Sequence, residues 1–184
     1  MKKLTAILLC IALLAGCAAA LAEEKENLGA ITVNGQFMLQ CILPEGYTTT
    51  IYESESDHLR ATIETEDTTK PGMVLTVAYA DDYSEVGRMN DLDDEQLGYI
   101  EASFTEEDEV TIEYRETSHG TKLMVVREVG DGMDFVDVFS IYQGYFVEFL
   151  MLPGPDAEDT TLTEEQIQMC VDFLSDLDFV PIGG

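Results

Sequence analysis

The fold is decided by residues 123–152, which read LMVVREVGDGMDFVDVFSIYQGYFVEFLML. Apolar runs, Leu123–Val126 and Tyr145–Leu152, stand at its two ends, and the turn signals Asp131-Gly132 and Gln143-Gly144 lie between them. Strands joined by two-residue turns of this kind form hairpins and must be antiparallel. The stretch therefore predicts antiparallel strands in tight succession.

The strand candidates outside this stretch differ in how many of their faces are apolar. Leu59, Ala61 and Ile63 alternate with polar residues, which is typical of a strand with one wet face. Met73–Ala80 is apolar on both faces, as are the two runs above, so the sheet is expected to be covered on each side. The remaining candidates begin at Ile31 and continue with Phe37–Leu43, Tyr47–Glu53 and Val110–Arg115.

Two helices are indicated by matching start signals. Leu92–Leu97 and Leu162–Ile167 each contain an Asp or Thr cap, a Gln three residues later, and apolar residues that staple the entry. An apolar stripe at helical spacing follows in the second helix, made of Ile167, Cys170, Val171, Leu174 and Leu177.

These elements predict an α+β fold. We expect an antiparallel β-sheet of about seven to eight strands flanked by helices on both faces, an α/β/α sandwich, because two amphipathic helices are the available covers. The chain divides into a leader at 1–22, a short polar lead-in at 23–30 and a single domain at 31–184.

Four further signals fit this arrangement. They are Phe37–Leu43 leading into Pro44-Glu45-Gly46-Tyr47, His119-Gly120-Thr121 before Leu123–Val126, Gln143-Gly144-Tyr145-Phe146 opening a strand, and Leu177-Asp178-Phe179 after the closing helix. In these signals the chain resembles the PsbP-like fold family, named for an extrinsic lumenal subunit of photosystem II. The resemblance spans most of 31–182 and implies the helix-flanked sheet and a binding or assembly role, but it transfers no site residue.

The first 22 residues have the order of a secretory signal peptide. Lys2-Lys3 precedes an uncharged run, and small residues continue up to Ala22 before acidic residues begin. Two processing routes are open: Leu14-Ala15-Gly16-Cys17 resembles a lipobox, in which Cys17 is the lipidation candidate, and Ala20-Leu21-Ala22 fits ordinary signal peptidase. Both routes predict an extracytoplasmic protein that is secreted or anchored as a lipoprotein.

The charge of the chain excludes several classes of partner. There are 37 acidic residues against nine basic ones, a formal charge of −28, and loss of Lys2 and Lys3 with the leader makes it −30. Nucleic acids and anionic lipid headgroups are bound through Lys and Arg, so neither is an expected partner. We expect a monomer that binds an unidentified protein of the cell envelope and contacts the membrane only through an N-terminal lipid anchor.

Cys41 and Cys170 remain after export and leave two alternatives. An even pair in an oxidising compartment is a candidate disulfide, and this one would close a loop of well over a hundred residues. Two buried free thiols are the other alternative, because free Cys is among the most buried residue types.

No motif for catalysis, a metal or a cofactor is present in the sequence. Ser118-His119-Gly120 is typical of a turn, and His58 of the start of a strand. The acidic groups Asp91–Glu95, Glu106–Glu109 and Asp131 with Asp134 lack the spacing of a calcium loop. The prediction is therefore no catalytic residue, no metal ligand and no cofactor.

The function that fits best is an exported, acidic, non-enzymatic binding or assembly module of the bacterial envelope or extracellular space. One alternative is a carbohydrate- or cation-binding module, because the chain has eight Tyr, although it has no Trp. The six tyrosines considered for it are Tyr47, Tyr52, Tyr79, Tyr83, Tyr99 and Tyr145. The other alternative is a hydrolase whose site is assembled from dispersed carboxylates.

Overall fold

A computed structural model describes residues 25–33, 35–104, 109–130 and 132–183. These residues form ten β-strands and two α-helices, here α1 and α2. In chain order they are β1 Glu26–Ile31, β2 Phe37–Cys41, β3 Tyr47–Ser54, β4 His58–Thr65, β5 Gly72–Tyr79, α1 Asp94–Ala102, β6 Glu109–Glu116, β7 Lys122–Gly130, β8 Met133–Tyr142, β9 Tyr145–Leu152, α2 Glu164–Asp176 and β10 Asp178–Pro181.

Seven strands form one large antiparallel sheet in the order β3-β4-β5-β9-β8-β7-β6. The hairpin predicted at Gln143-Gly144 is confirmed, since Tyr142 pairs with Tyr145 across it. Both turn residues have positive φ, 48° and 81°, as a two-residue hairpin turn requires. Strand β9 lies at the centre of the sheet because it pairs with β5 on one side and with β8 on the other.

The other three strands form a small separate sheet in the order β1-β2-β10. Strand β1 begins at Glu26, inside the segment predicted as a polar lead-in, and its Leu28 and Ile31 are buried. Strand β10 follows α2 directly and returns to pair with β2, so that Phe179 lies opposite Leu39. Strands from the two ends of the described chain, β1 and β10, therefore lie on either side of β2 in one sheet.

The main core lies on the side of the large sheet that we call the inner face. The small sheet and α2 cover it, and their buried residues share one cluster with inward residues of β4, β5, β7, β8 and β9. Phe173 of α2 stacks on Phe149 of β9 with ring centroids 4.4 Å apart. The predicted apolar stripe of α2 is confirmed for Ile167, Cys170, Val171 and Leu174, which are all buried.

The start of α2 is fixed to the sheet by an ion pair. Thr163 caps the helix and Gln166 returns the hydrogen bond, as predicted. Just before the cap, the backbone N–H of Leu162 donates to Asp134 Oδ2 at 2.8 Å, and Arg127 donates to the Leu162 carbonyl at 3.1 Å. Arg127 and Asp134 also bind each other with two hydrogen bonds, so an ion pair between a buried aspartate and a half-buried arginine holds the helix entry.

The predicted α+β sandwich, with helices on both faces of the sheet, is wrong: the described chain is mostly β. One reason is that three strands form a separate small sheet. This sheet, and not helices alone, covers the inner face together with α2. The second reason concerns the opposite side, the outer face, where α1 covers only one end. Apolar residues of β5 and β9 there are half-buried, although the sequence suggested cover on both sides.

In the described part of the chain, each helix is too short or too polar to cross a membrane.

Candidate functional site

The outer face of the large sheet is incompletely covered. In the central strand β9, residues alternate between buried inward positions and half-buried outward positions along the whole strand. Strand β8 changes along its length: outward Phe139 and Ile141 are buried under the α1 side, whereas Phe135 and Asp137 remain half-exposed. The outer face therefore has a covered end and an open end, and the boundary between them runs across β8 and β9.

A groove of about 430 Å³ lies at this boundary, between α1 and the strands. Its lining is mainly aromatic and aliphatic, with few polar groups. The residues that line this outer-face groove are Thr76, Ala78, Tyr83, Tyr99, Ile100, Ser103, Phe104, Phe139, Phe146 and Glu148. Small-molecule and side-chain binding sites have this character, a concave apolar surface with a few polar groups at its rim.

Aromatic rings in mutual contact form the floor and one wall of the groove. Phe139 and Phe146 stack with centroids 5.3 Å apart. Tyr83 meets Phe146 edge-on at 5.1 Å, and Phe104 meets Phe139 in the same way at 6.1 Å. Four rings held against one another form a rigid surface, which loses little conformational entropy when a ligand binds.

Helix α1 positions the other wall. Asp93 accepts a hydrogen bond from the Gln96 backbone N–H at 2.9 Å, and the Gln96 side chain accepts one from the Asp93 N–H, so the predicted capping box is confirmed. Leu97 and Ile100 of this helix are buried against the sheet. Tyr99 lies on the free side of the helix and is 69% exposed, the most exposed of the large apolar side chains described.

Three carboxylates lie on the outer face at the open side of the groove, and we call them the outer-face acids: Glu128, Asp137 and Glu148. Strand register places them together. Asp137 of β8 pairs with Val126 of β7 and Leu150 of β9, so Glu128 and Glu148 occupy diagonal positions on either side of it, about 7 Å away. Glu148 also lines the groove and so connects the acids to the aromatic floor.

Asp137 is the least satisfied of these acids. Its Oδ1 is buried and has no hydrogen-bond partner among the described residues. Burial, followed by repulsion from Glu148 and Glu128, raises the pKa of Asp137 to about 7. Perturbed carboxylates next to a concave surface are candidates for functional residues, because ordinary structural positions do not require them.

A second cleft, of about 340 Å³, lies beside the inner face and includes His119, Thr117, Ser140 and the β10 end of the chain. The hydroxyls of Thr117 and Ser140 are hydrogen-bonded to backbone groups. Thr117 accepts hydrogen bonds from the N–H groups of His119 and Thr121, and Ser140 donates to the Lys122 carbonyl at 3.0 Å. The turn predicted at Ser118-His119-Gly120 is confirmed, because it connects β6 to β7.

The other histidine begins β4, as predicted. His58 lies near three acids of the β3–β4 hairpin: its Nδ1 is 3.1 Å from Asp57 Oδ1 and its Nε2 is 3.6 Å from Glu53 Oε2. Glu55, Asp57 and His58 could each offer a ligand atom within 4.8 Å of the others. Glu55 and Asp57 are exposed and His58 is half-buried, and we assign this group no function.

The predicted acidic groups have different outcomes. In Asp91–Glu95, Asp91 accepts a hydrogen bond from the Arg88 N–H and Asp93 caps α1, so the capping interpretation is confirmed for these two. Asp134 is 4% exposed and paired with Arg127. Residues 106–108 and Asp131 lie outside the described residues, as do the leader and the lipidation candidate Cys17.

Cys41 and Cys170 are described as free thiols, both buried in the main core cluster. Cys170 Sγ contacts Met151 Sδ at 3.9 Å. Burial raises the pKa of Cys41 to about 12 and raises the pKa of Cys170 as well. Neither thiol is poised to react as a thiolate in the native fold.

Of the six tyrosines considered for sugar binding, Tyr83 and Tyr99 line the groove. Tyr47 and Tyr145 are buried, and Tyr52 is 48% exposed on β3. The sugar-binding alternative stays a prediction.

Sequence analysis missed the groove and Asp137. A usable signal was present for Glu148, because it interrupts the otherwise apolar run Tyr145–Leu152.

No protein-family model matches the chain, and a comparison with curated proteins finds no relative. The resemblance to the PsbP-like family therefore stays a prediction.

Proposed function

We propose that the chain is an exported, non-enzymatic module that binds a protein partner through the outer-face groove. The observation that carries this proposal is the groove itself. Three of the four rings of its rigid aromatic surface, Tyr83, Phe104 and Phe146, are only half-buried, where a protein without a partner would be expected to bury such residues.

The exposed position of Tyr99 supports the same proposal. Tyrosine is enriched at protein interfaces because it offers a large contact area with few rotatable bonds. In this chain a short, capped helix presents Tyr99 at the rim of the groove, while Leu97 and Ile100 anchor that helix to the sheet. The rim is therefore held in place before a partner arrives.

A second copy of the same chain is a poor occupant for this surface. The chain carries a formal charge of −28, and the outer-face acids concentrate part of it beside the groove. Two such faces brought together would repel each other. The partner is therefore expected to be a different protein.

Site-specific photocrosslinking tests the proposal. A photoreactive phenylalanine analogue replaces Tyr99 in the groove or, as the matched control, Tyr52, which is exposed on edge strand β3. In the envelope fraction of the source cells we expect a discrete adduct from position 99 only. Excess unlabelled wild-type protein should compete for it, and excess Tyr99→Ala protein should compete less.

Equal adducts from both positions, or an adduct that the two competitors suppress equally, would contradict binding through the groove.

A further inference from the structure

We infer that the occupant of the outer-face groove is a protein segment in which a lysine or arginine stands beside apolar side chains, with its cationic group against the carboxylate of Asp137. This inference rests on the proposed function and names the chemistry of the partner. It is carried by the surroundings of Asp137 and by the distribution of basic residues over the fold.

The charged groups that face Asp137 from the neighbouring strands are both negative. Glu128 faces it from β7 and Glu148 from β9. Among the described residues no basic side chain forms an ion pair with any of the three acids. Three carboxylates at the open side of a groove create a local potential that attracts a cation.

Two basic residues on the outer face, Lys122 and Arg60, interact with groups other than the outer-face acids. Lys122, on the outer side of β7, places its Nζ 5.2 Å from the centre of the Tyr114 ring. Arg60, on the outer side of β4, lies 5.8 Å from the centre of the Tyr52 ring and 3.9 Å from Glu53. The chain itself therefore leaves the outer-face acids without a counter-charge, and a partner can supply it.

Asp134 provides an internal comparison, because it lies on the same strand and faces the opposite side. It is buried, whereas Asp137 is half-buried, and Arg127 binds both of its oxygens while the Leu162 N–H donates a further hydrogen bond. The fold thus satisfies a buried aspartate fully where that residue is structural. At Asp137 one buried oxygen has no donor among the described residues, and the fold places no compensating positive charge beside this carboxyl group.

The position of Glu148 indicates that the partner segment carries apolar side chains beside its cation. This residue lines the groove and is diagonal to Asp137, so a cation bound at Asp137 lies on the side of the groove where Phe139 begins the aromatic floor. A lysine or arginine carries an aliphatic stem, and its neighbours in the partner segment can bury apolar side chains on the aromatic floor. Polycations without apolar neighbours would satisfy the acids and leave the groove empty.

The inference predicts pH-dependent binding. A cation stabilises the ionised form of Asp137, while the free protein favours the protonated form, so binding releases a proton. Affinity should therefore rise as the pH increases through about 7 and become constant above it.

Peptides of defined composition test the inference. The probe is a short synthetic peptide of alternating leucine and lysine, with a leucine–glutamate peptide and a serine–lysine peptide of the same length as controls. Binding to the purified chain is measured by isothermal titration calorimetry at fixed ionic strength. We expect the leucine–lysine peptide to bind about tenfold tighter than either control.

Two variants with the same change of charge identify the contact. Asp137→Asn should weaken binding of the leucine–lysine peptide by about tenfold or more and abolish the pH dependence. Asp172→Asn removes one charge from an exposed position of α2, and it should change the affinity by less than about twofold. Asp137→Asn should remain folded, because the amide removes the repulsion from Glu148 and Glu128, and thermal melts check this.

Equal weakening by the two variants, or equal binding of the leucine–lysine and leucine–glutamate peptides, would overturn the inference. The proposed function is tested separately by crosslinking at Tyr99. A specific adduct at that position combined with no effect of Asp137→Asn would leave a protein-binding groove whose partner is not anchored by a cation.

Discussion

At residue 137 the fold holds a carboxyl group in surroundings that favour its protonated form. Its pKa is about 7 in the folded chain, against about 3.9 in an unfolded one. Because the folded pKa is the higher, the contribution of Asp137 to stability is fully present below about pH 4 and is lost as the pH rises toward 7. At neutral pH this carboxyl group destabilises the free protein. A residue of this kind is a candidate for one that is retained because it contributes to binding, since it does not contribute to folding.

The first prediction concerns this loss of stability. Asp137→Asn removes the titration, so the free energy of unfolding of the variant relative to wild type should increase by about 2 kcal/mol between pH 5 and pH 8. Urea unfolding at the two pH values measures the difference. Asp172→Asn serves as the control and should show no such increase. A constant difference for Asp137→Asn would mean that Asp137 titrates normally.

The second prediction concerns Cys41 and Cys170. Both thiols are buried and both have raised pKa values, so a thiol reagent should leave them unmodified in the native protein. After unfolding without reductant, the thiols of Cys41 and Cys170 should both react in a chain that lacks the leader with Cys10 and Cys17. Reaction of neither thiol in the unfolded, unreduced protein would show instead that the two are joined by a disulfide.

At the scale of elements, α2 is held in the fold by several independent attachments. Its apolar stripe packs on the inner face, Arg127 and Asp134 hold its entry, and Arg115 Nη1 binds Glu164 in its first turn at 2.7 Å. The strand that follows it, β10, closes the small sheet. Displacing α2 would therefore uncover the inner face and detach the small sheet from one of its strands.

The third prediction follows from this position. Leu174→Asp places a carboxylate at a buried site in the stripe and should lower the free energy of unfolding by about 3 kcal/mol or more. Asp172→Ala, on the exposed side of the same helix, loses only a hydrogen bond from Gln168 and should cost about 0.5 kcal/mol or less. Thermal melts that found the two variants equally stable would contradict the packing of α2.

At the scale of the whole molecule, negative charge opposes compactness. Among the described residues, only four Lys or Arg side chains form ion pairs: Lys25, Arg60, Arg115 and Arg127. The chain has 37 acidic residues, so most carboxylates interact mainly with one another. Their repulsion destabilises the folded state at neutral pH and is screened by salt.

The fourth prediction is that NaCl raises the melting temperature between low and moderate ionic strength. Screening strengthens as the Debye length falls from about 30 Å at 0.01 M to about 10 Å at 0.1 M. Calcium at about 1 mM, the concentration range of weak extracellular sites, should add little beyond its ionic strength. MgCl₂ at matched ionic strength is the control. A large shift with Ca²⁺ alone would reveal a specific calcium site.

Features set by neighbouring residues could be predicted from the sequence. The hairpin at Gln143-Gly144 and the two capping boxes depend on interactions within a few residues, and the structure confirms them. The stripe of α2 could be predicted for the same reason, since a helix fixes which residues share a face.

Sequence alone therefore determined the local elements, and the tertiary structure decided how they are covered. The pairing of β10 with β2 joins residues that are far apart in the chain. Together with β1, these strands form a separate small sheet instead of belonging to the large one. An apolar strand face has the same sequence pattern whether it is buried or forms the floor of a groove. The incomplete cover of the outer face could therefore not be predicted from the sequence. The raised pKa of Asp137 depends likewise on its burial and on Glu148 and Glu128, which only the strand register brings to its sides.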